Sequence, residues 1–202
     1  MKISHIPIFA FLLLFISYGC NNKNEEVNNQ QNSEAEVLTP DPTHGLRPVD
    51  LSDHELDIHI FVPEQYYDDE NGYPRFVQPI IAHNLGEAKW EITLPGRSKW
   101  HLVIEETMHD SLTVNDEIER LNNYAFFSYN FVEQNDSTLV YAKNLKAEKT
   151  TLDSLESLKN AFYHFYCLRK INGYNLSFQS FEMGDFRKLT IDQMLTSAKF
   201  SY

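Results

Sequence analysis

The clearest structural signal in this chain is FYHFYCLRKINGYNLSF, residues 162–178. Residues 162–169 are mostly apolar at odd and even positions alike, which is typical of a central strand buried on both faces. Asn172-Gly173 follows, and both residues tolerate the positive φ angles of a tight hairpin turn. Residues 174–178 then return as a second strand. The sequence therefore predicts an antiparallel hairpin near the centre of a sheet.

Five further stretches upstream of this hairpin have the residue pattern of strands. Residues 88–94 and 100–105 flank Pro95-Gly96 and predict a second hairpin with a slightly long loop. In residues 75–82, Pro79 predicts an edge strand or an interrupted one, because proline cannot donate to a sheet. The others are a short strand at 139–142 and one at 55–62, whose expected buried face is Leu56, Ile58, Ile60 and Val62.

Two segments have the periodicity of amphipathic helices. The first covers residues 114–128, with acids in its first turn. For the second, Thr190 is the predicted N-cap and Gln193 completes a capping box. The expected buried face of the second helix consists of Ile191, Met194, Leu195 and Ala198.

This order of elements predicts an α+β fold, a mostly antiparallel sheet with helices packed on it. The predicted single domain covers residues 49–202, a length that fits one hydrophobic core. The order resembles the PsbP/Mog1-type α/β/α sandwich through the strand at 55–62, the Trp90/Trp100 hairpin and the closing hairpin with its helix. The resemblance implies a non-catalytic partner in an assembly and carries no functional residue over to this chain.

The N-terminus has the pattern of an export signal. Lys2 precedes an apolar run from Ile6 to Ile16 of about 11 residues, whereas a membrane-spanning helix needs about 20. A basic start followed by a short apolar core is typical of a signal peptide. We therefore assign residues 1–19 to a signal peptide and expect the protein to be exported.

The end of the apolar run, Ser17-Tyr18-Gly19-Cys20, resembles a bacterial lipobox, with Ser17 where leucine is usual. The resemblance implies lipid on the Cys20 thiol and cleavage that makes Cys20 the first mature residue. Lys23-Asn24-Glu25-Glu26 is similar to the export tag of Bacteroidota surface lipoproteins. It implies an outer membrane lipoprotein displayed at the cell surface, with an ordinary polar tether as the alternative. The polar composition of residues 21–48 predicts a flexible tether, so residues 20–48 would comprise the cysteine that the resemblance implies is lipidated and this tether.

Charge and cysteine content limit the partners of the mature chain. Removing residues 1–19 takes away Lys2 and no acid, so the formal net charge changes from −12 to −13. Such an acidic protein is unsuited to nucleic acids and anionic lipid headgroups, so membrane attachment must come from the lipid on Cys20. Cys167 then has no disulfide partner and is expected to pack as a small buried hydrophobe.

No motif in the sequence assigns a catalytic residue, a metal ligand or a cofactor. The spacing of His54 and His59 is one residue too long for the zinc motif HExxH, and the segment has a strand pattern. Residues 67–72 lack a calcium ligand at the first position of the loop, so they indicate a polar turn. A carboxylate pair of Glu91 and Glu105 across the second hairpin is left open.

Tyr66, Tyr67 and Tyr73 surround an acidic loop and are the best candidates for a ligand-facing cluster, with loop packing as the alternative. The expected function is a lipid-anchored, non-catalytic accessory or binding domain that meets an envelope protein partner. Two alternatives stay open. One is an envelope hydrolase with an unidentified carboxylate site, and the other is a surface glycan-binding module built on residues 66–73.

Overall fold

The computed structural model describes residues 41–84, 86–96, 99–108, 111–145 and 162–202. The strands, in chain order, are β1 (Leu46–Asp50), β2 (His59–Pro63), β3 (Tyr66–Asp68), β4 (Pro74–Phe76), β5 (Ile80–Asn84), β6 (Lys89–Thr93), β7 (His101–Glu106), β8 (Phe127–Gln134), β9 (Thr138–Leu145), β10 (Phe162–Ile171) and β11 (Tyr174–Ser180). The helices are α1 (Val114–Asn122) and α2 (Lys188–Phe200), and a short 3-10 turn covers Ser52–His54. The predicted signal peptide, Cys20 and most of the predicted tether lie outside the described residues.

Seven of these strands form one antiparallel sheet in the order β5-β6-β7-β11-β10-β9-β8. β10 and β11 are joined by Asn172 and Gly173, whose φ angles are 49° and 91°. Across this pair Cys167 lies opposite Phe178. β11 stands at the centre of the sheet with β10 beside it, so the hairpin predicted from residues 162–178 is confirmed.

The strands at the other end of the sheet also follow the prediction. Trp90 of β6 lies opposite Ile104 of β7, as expected for the second hairpin. The interruption predicted at Pro79 is confirmed, because β4 ends at Phe76 and β5 begins at Ile80. β5 pairs only with β6 in the sheet order and forms one edge.

The two described helices lie on opposite faces of the seven-stranded sheet, because successive residues of β10 point to opposite sides. Phe165 and Cys167 face the larger core, which contains α2 and β2. Tyr166 and Leu168 face a smaller core that contains α1. The predicted α+β fold, a mostly antiparallel sheet with helices packed on it, is therefore confirmed.

The strand expected at residues 55–62 begins only at His59, because the 3-10 turn before it ends at Glu55 with φ 64°. β1, which pairs with β2, begins at Leu46, so regular structure starts before residue 49, the predicted start of the domain. The predicted buried face is confirmed, since the exposed fraction is 1 % or less for Leu56, Ile58, Ile60 and Val62.

The helix predicted over residues 114–128 ends at Asn122, and residues 127–134 form strand β8 at the second edge of the sheet. The sequence does carry a signal for β8, because Phe127, Tyr129 and Phe131 alternate with polar residues. The helix predicted to reach residue 128 overlapped this short pattern, and a bulge between Phe131 and Glu133 ends it.

The cap of the second helix differs from the prediction, and a capping box lies on the first helix. Thr113 precedes α1 and forms a reciprocal capping box with Asp116. α2 has Arg187 as its N-cap, without a side-chain capping bond. The predicted Thr190–Gln193 capping box is therefore wrong, because Thr190 already lies inside the first turn of α2. The expected buried face of this helix is confirmed for Ile191, Met194, Leu195 and Ala198.

Candidate functional site

The turn between β3 and β4 is fixed by one carboxylate. The backbone N–H groups of Asn71 and Tyr73 donate to Oδ1 of Asp69 at 2.9 and 3.0 Å. Nε of Arg75 donates to Oδ2 at 2.9 Å. These bonds lower the pKa of Asp69, and the bond from Tyr73 has the largest effect on it. Gly72 completes the turn with φ 76°, so Asp69 orders a polar turn of the kind the sequence predicts.

Tyr66, Tyr67 and Tyr73 of this hairpin are 57, 56 and 64 % exposed. Tyr66 lies opposite Phe76, and Tyr67 lies opposite Arg75. Neighbouring residues of a strand point to opposite faces, so Tyr66 and Tyr67 are on different sides of the hairpin. The structure thus places the three rings on two faces of one exposed hairpin rather than in a single cluster. We call residues 66–76 the tyrosine hairpin.

The tyrosine hairpin is attached to the body of the domain through one of its faces. The ring of Tyr66 meets Phe76 edge-on, with centroids 6.1 Å apart. The guanidinium of Arg47 lies 4.2 Å from the centroid of Phe76, a cation–π contact. Beyond the strands, the N–H of Val77 donates to the carbonyl of Gln65 at 2.8 Å. The hairpin is therefore held in one orientation while its tyrosine rings stay more than half exposed.

Glu91 and Glu105, the carboxylates left open as a catalytic pair, share one lysine. Nζ of Lys89 lies 3.4 Å from Oε1 of Glu91 and 3.6 Å from Oε1 of Glu105. Burial lowers the pKa of Lys89, but the bond to Glu91 and the charge of Glu105 outweigh it and raise the pKa. Both carboxylates therefore form ion pairs with the same lysine. The sequence signal for this contact was the spacing of Lys89 and Glu91, which places both on one face of β6.

His101 extends this group of charges. Its Nε2 lies 3.2 Å from Oε2 of Glu91, and its ring stacks on Phe181 with centroids 4.3 Å apart. Burial lowers the pKa of His101 and outweighs the opposing effect of Glu91. The neutral imidazole therefore orients Glu91 by a hydrogen bond. With Lys89 and Glu105, the two residues form one connected polar group on the sheet.

Two further histidines and the second cysteine have structural roles. The carbonyl of His54 accepts a hydrogen bond from Nε1 of Trp90 at 2.7 Å, and the ring of His59 stacks on Tyr202. Cys167 has a free thiol, and burial raises its pKa. Its Sγ lies 3.7 Å from Oγ1 of Thr138. In the part of the chain that the structure describes, no group of three or more His, Cys, Asp or Glu could hold a metal ion.

Comparison with known proteins assigns no function to this chain. None of the helices among the described residues has the length and apolar character needed to cross a membrane. No family model, no curated protein and no solved structure matches this chain. Among the surfaces predicted from the sequence, the tyrosine hairpin combines a fixed backbone with large exposed side chains.

Proposed function

We propose that this protein is a non-catalytic binding domain, attached to the outer membrane by lipid on Cys20, and that the tyrosine hairpin is its contact surface. One observation carries the proposal: Tyr66, Tyr67 and Tyr73 are each more than half exposed on a turn that Asp69 fixes. Burial of a large aromatic side chain normally stabilises a fold. Three exposed rings on one short hairpin therefore favour contact with a partner.

Tyrosine is well suited to such a contact. Its rigid ring covers a large area at a low cost in side-chain entropy, and its hydroxyl can form hydrogen bonds. The turn at Asp69 is already ordered, which reduces the entropy lost when a partner binds. A stable protein interface buries about 1,200–2,000 Å² in total, so the hairpin would form the centre of a larger contact.

An envelope protein is the partner that we favour. Tyr67 faces Arg75 across the hairpin, and the side chain of Arg75 is 59 % exposed. Tyrosine and arginine are the residue types enriched at the energetic centres of protein interfaces. The resemblance to PsbP/Mog1-type domains, which we retain as a proposal, implies the same non-catalytic role. The net charge of −12 disfavours nucleic acid as the partner.

A surface glycan is the second candidate, because the exposed rings of Tyr67 and Tyr73 could also cover the apolar face of a sugar.

A hydrolase that uses Glu91 and Glu105 is less favoured. Lys89 forms an ion pair with each of these carboxylates, which gives them a structural role on the sheet.

The attachment is tested by fractionation of cells that express the wild-type chain or Cys20→Ser. We expect the wild type in the membrane fraction and the variant in the soluble fraction, because the lipid is the proposed anchor. Membrane association that survives Cys20→Ser would contradict the proposal. Protease treatment of intact cells then distinguishes display at the cell surface from a location that faces the periplasm. Cleavage of the wild type in intact cells requires display at the cell surface.

The contact surface is tested by crosslinking in intact envelopes followed by purification of the protein. The comparison uses the wild type, a triple variant with Tyr66→Ala, Tyr67→Ala and Tyr73→Ala, and the control Leu189→Ala. Leu189 is 72 % exposed on α2, so the control removes a large apolar side chain that is also more than half exposed. We expect a partner protein to be recovered in stoichiometric amount with the wild type and with the control. We expect none with the triple variant.

A partner that the triple variant retains would show that the tyrosine hairpin is not the contact surface. If no protein is recovered with the wild type, binding to a panel of envelope glycans decides the second candidate. Glycan binding that the triple variant loses would support it. Absence of both protein and glycan binding would overturn the proposed function.

A further inference from the structure

A cavity of about 310 Å³ lies between the ends of β8, β9 and β10 and the loop at residues 182–185. It is separate from the tyrosine hairpin and is lined by residues that the sequence did not single out. Its volume is at the lower end of the range for small-molecule sites, about 300–1,000 Å³. A ligand of this size is a compact molecule rather than a folded partner.

One wall of the cavity holds a fixed positive charge. Nζ of Lys143 donates to the carbonyl of Glu182 at 3.0 Å and lies 4.2 Å from the centroid of Phe127. The cation–π contact and the hydrogen bond hold the ammonium in place. An ammonium has three N–H donors, so Lys143 can donate to an anionic group of a ligand as well as to this carbonyl.

The opposite charge comes from the 182–185 loop. Glu182 and Asp185 both line the cavity. They are near enough to Lys143 that their charges raise its pKa, although burial has the larger effect and lowers the pKa overall. The cavity thus combines one ammonium with two carboxylates. A ligand that carries both charges can therefore form ionic contacts with Lys143 and with the carboxylates, whereas a simple anion or a simple cation can form only one of the two kinds.

The rest of the lining includes large apolar side chains at the surface. Phe162 is 38 % exposed and Met183 is 79 % exposed, and both line the cavity with the ring of Phe127. Methionine adapts its shape to different apolar groups, and aromatic rings supply a large contact area. These side chains favour a ligand that carries an apolar group beside its charges.

We infer that this cavity binds a compact zwitterion with an apolar side chain, between an amino acid and a dipeptide in size. The ligand's carboxylate accepts hydrogen bonds from Lys143. Its ammonium faces Glu182 and Asp185, and its side chain packs against Phe162 and Met183. The site does not depend on the tyrosine hairpin, so either one can fail without the other.

The test is calorimetric titration of the full chain with phenylalanine and with phenylalanyl-alanine. Each is compared with its N-acetylated form, which lacks the positive charge, and with its amide, which lacks the negative charge. We expect at least one zwitterion to bind with a Kd of about 1 mM or tighter. Its blocked forms should bind at least about tenfold more weakly, because each loses one charge contact. No binding of either zwitterion up to about 10 mM, or equal binding of the blocked forms, would overturn the inference.

Two variants assign the charges to residues. Lys143→Met keeps the apolar stem and should weaken zwitterion binding at least about tenfold. The control is Lys170→Met on β10, which removes an exposed lysine outside the cavity and should leave the Kd unchanged. Asp185→Asn, in the exposed loop, should weaken binding of the zwitterion without weakening that of the N-acetylated form. Unchanged zwitterion binding in a folded Lys143→Met or Asp185→Asn protein would refute the assignment.

Discussion

Nδ1 of His164 lies 3.1 Å from Oγ of Ser180 inside the domain. The ring also stacks on Tyr141, with centroids 5.5 Å apart, and His164 is only 1 % exposed. Burial lowers the pKa of His164 to about 4, with a smaller effect from the charge of Lys143. The imidazole is therefore neutral in the folded protein at neutral and mildly acidic pH.

We predict that mild acid destabilises the fold through His164. The pKa of an unperturbed histidine is about 6.5, so between pH 6.5 and 4 the unfolded chain binds the proton more readily than the folded one. The contribution of neutral His164 is complete above pH 6.5 and is lost as the pH falls toward 4. From pH 7 to pH 5 the loss is about 2 kcal/mol in the free energy of unfolding.

Urea titrations at pH 7 and pH 5 measure this loss. His164→Gln removes the titrating group, so the free energy of unfolding of this variant should fall less than that of the wild type between the two pH values. The comparison between the proteins cancels the carboxylates that titrate in both. A fall of the same size in the variant would show that His164 does not carry the effect.

The capping box of α1 gives a second prediction. Oγ1 of Thr113 accepts the N–H of Asp116, and the Asp116 carboxylate accepts the N–H of Thr113 at 2.7 Å. Thr113→Ala should lower the free energy of unfolding by about 1 kcal/mol, because it leaves helix N–H groups without an acceptor. Thr190→Ala is the matched control, since Thr190 lies inside α2 and should change stability by less than about 0.5 kcal/mol. Equal effects of the two substitutions would refute the cap assignment.

Much of the fold could be predicted because its signals are local. Asn172-Gly173 and the apolar run before it determine a hairpin over a few residues. β8 depends on pairing with β9, and the alternation in its sequence ends after Phe131 at a bulge, so the pattern is too short to separate it from the end of the predicted helix. The start of α2 depends on the extended backbone of Arg187, which residue types alone did not indicate.

The candidate sites were predictable only in part, for a related reason. The exposure of Tyr66 and Tyr67 followed from their place in a polar segment. That the two rings lie on opposite faces of the hairpin depends on the strand that these residues form. The contact of Lys89 with Glu105 depends on the register of β6 and β7. The cavity at Lys143 joins β9 to a loop distant in sequence. No short-range pattern contains such information.

The turn between β10 and β11 gives a third prediction. Gly173 has φ 91°, a conformation that residues with a Cβ adopt only at a cost of about 1–2 kcal/mol. Gly173→Ala should lower the free energy of unfolding by this amount in urea titrations. In the control Gly86→Ala, the added Cβ would meet its nearest neighbour at 3.6 Å, an ordinary contact. If both variants lose a comparable free energy of unfolding, the positive φ of Gly173 is not the cause.

The reactivity of Cys167 gives a fourth prediction, which also tests how tightly the larger core is packed. Cys167 is 1 % exposed, and burial raises its pKa, so little thiolate is present and reagents have no access. In a Cys20→Ser background, where Cys167 is the only thiol, we expect no reaction with a thiol reagent until urea unfolds the domain. The control adds Leu189→Cys on the exposed face of α2, which should react with one thiol equivalent in the folded protein. Rapid labelling of Cys167 without urea would mean that the sheet and α2 separate readily, because the thiol lies between them.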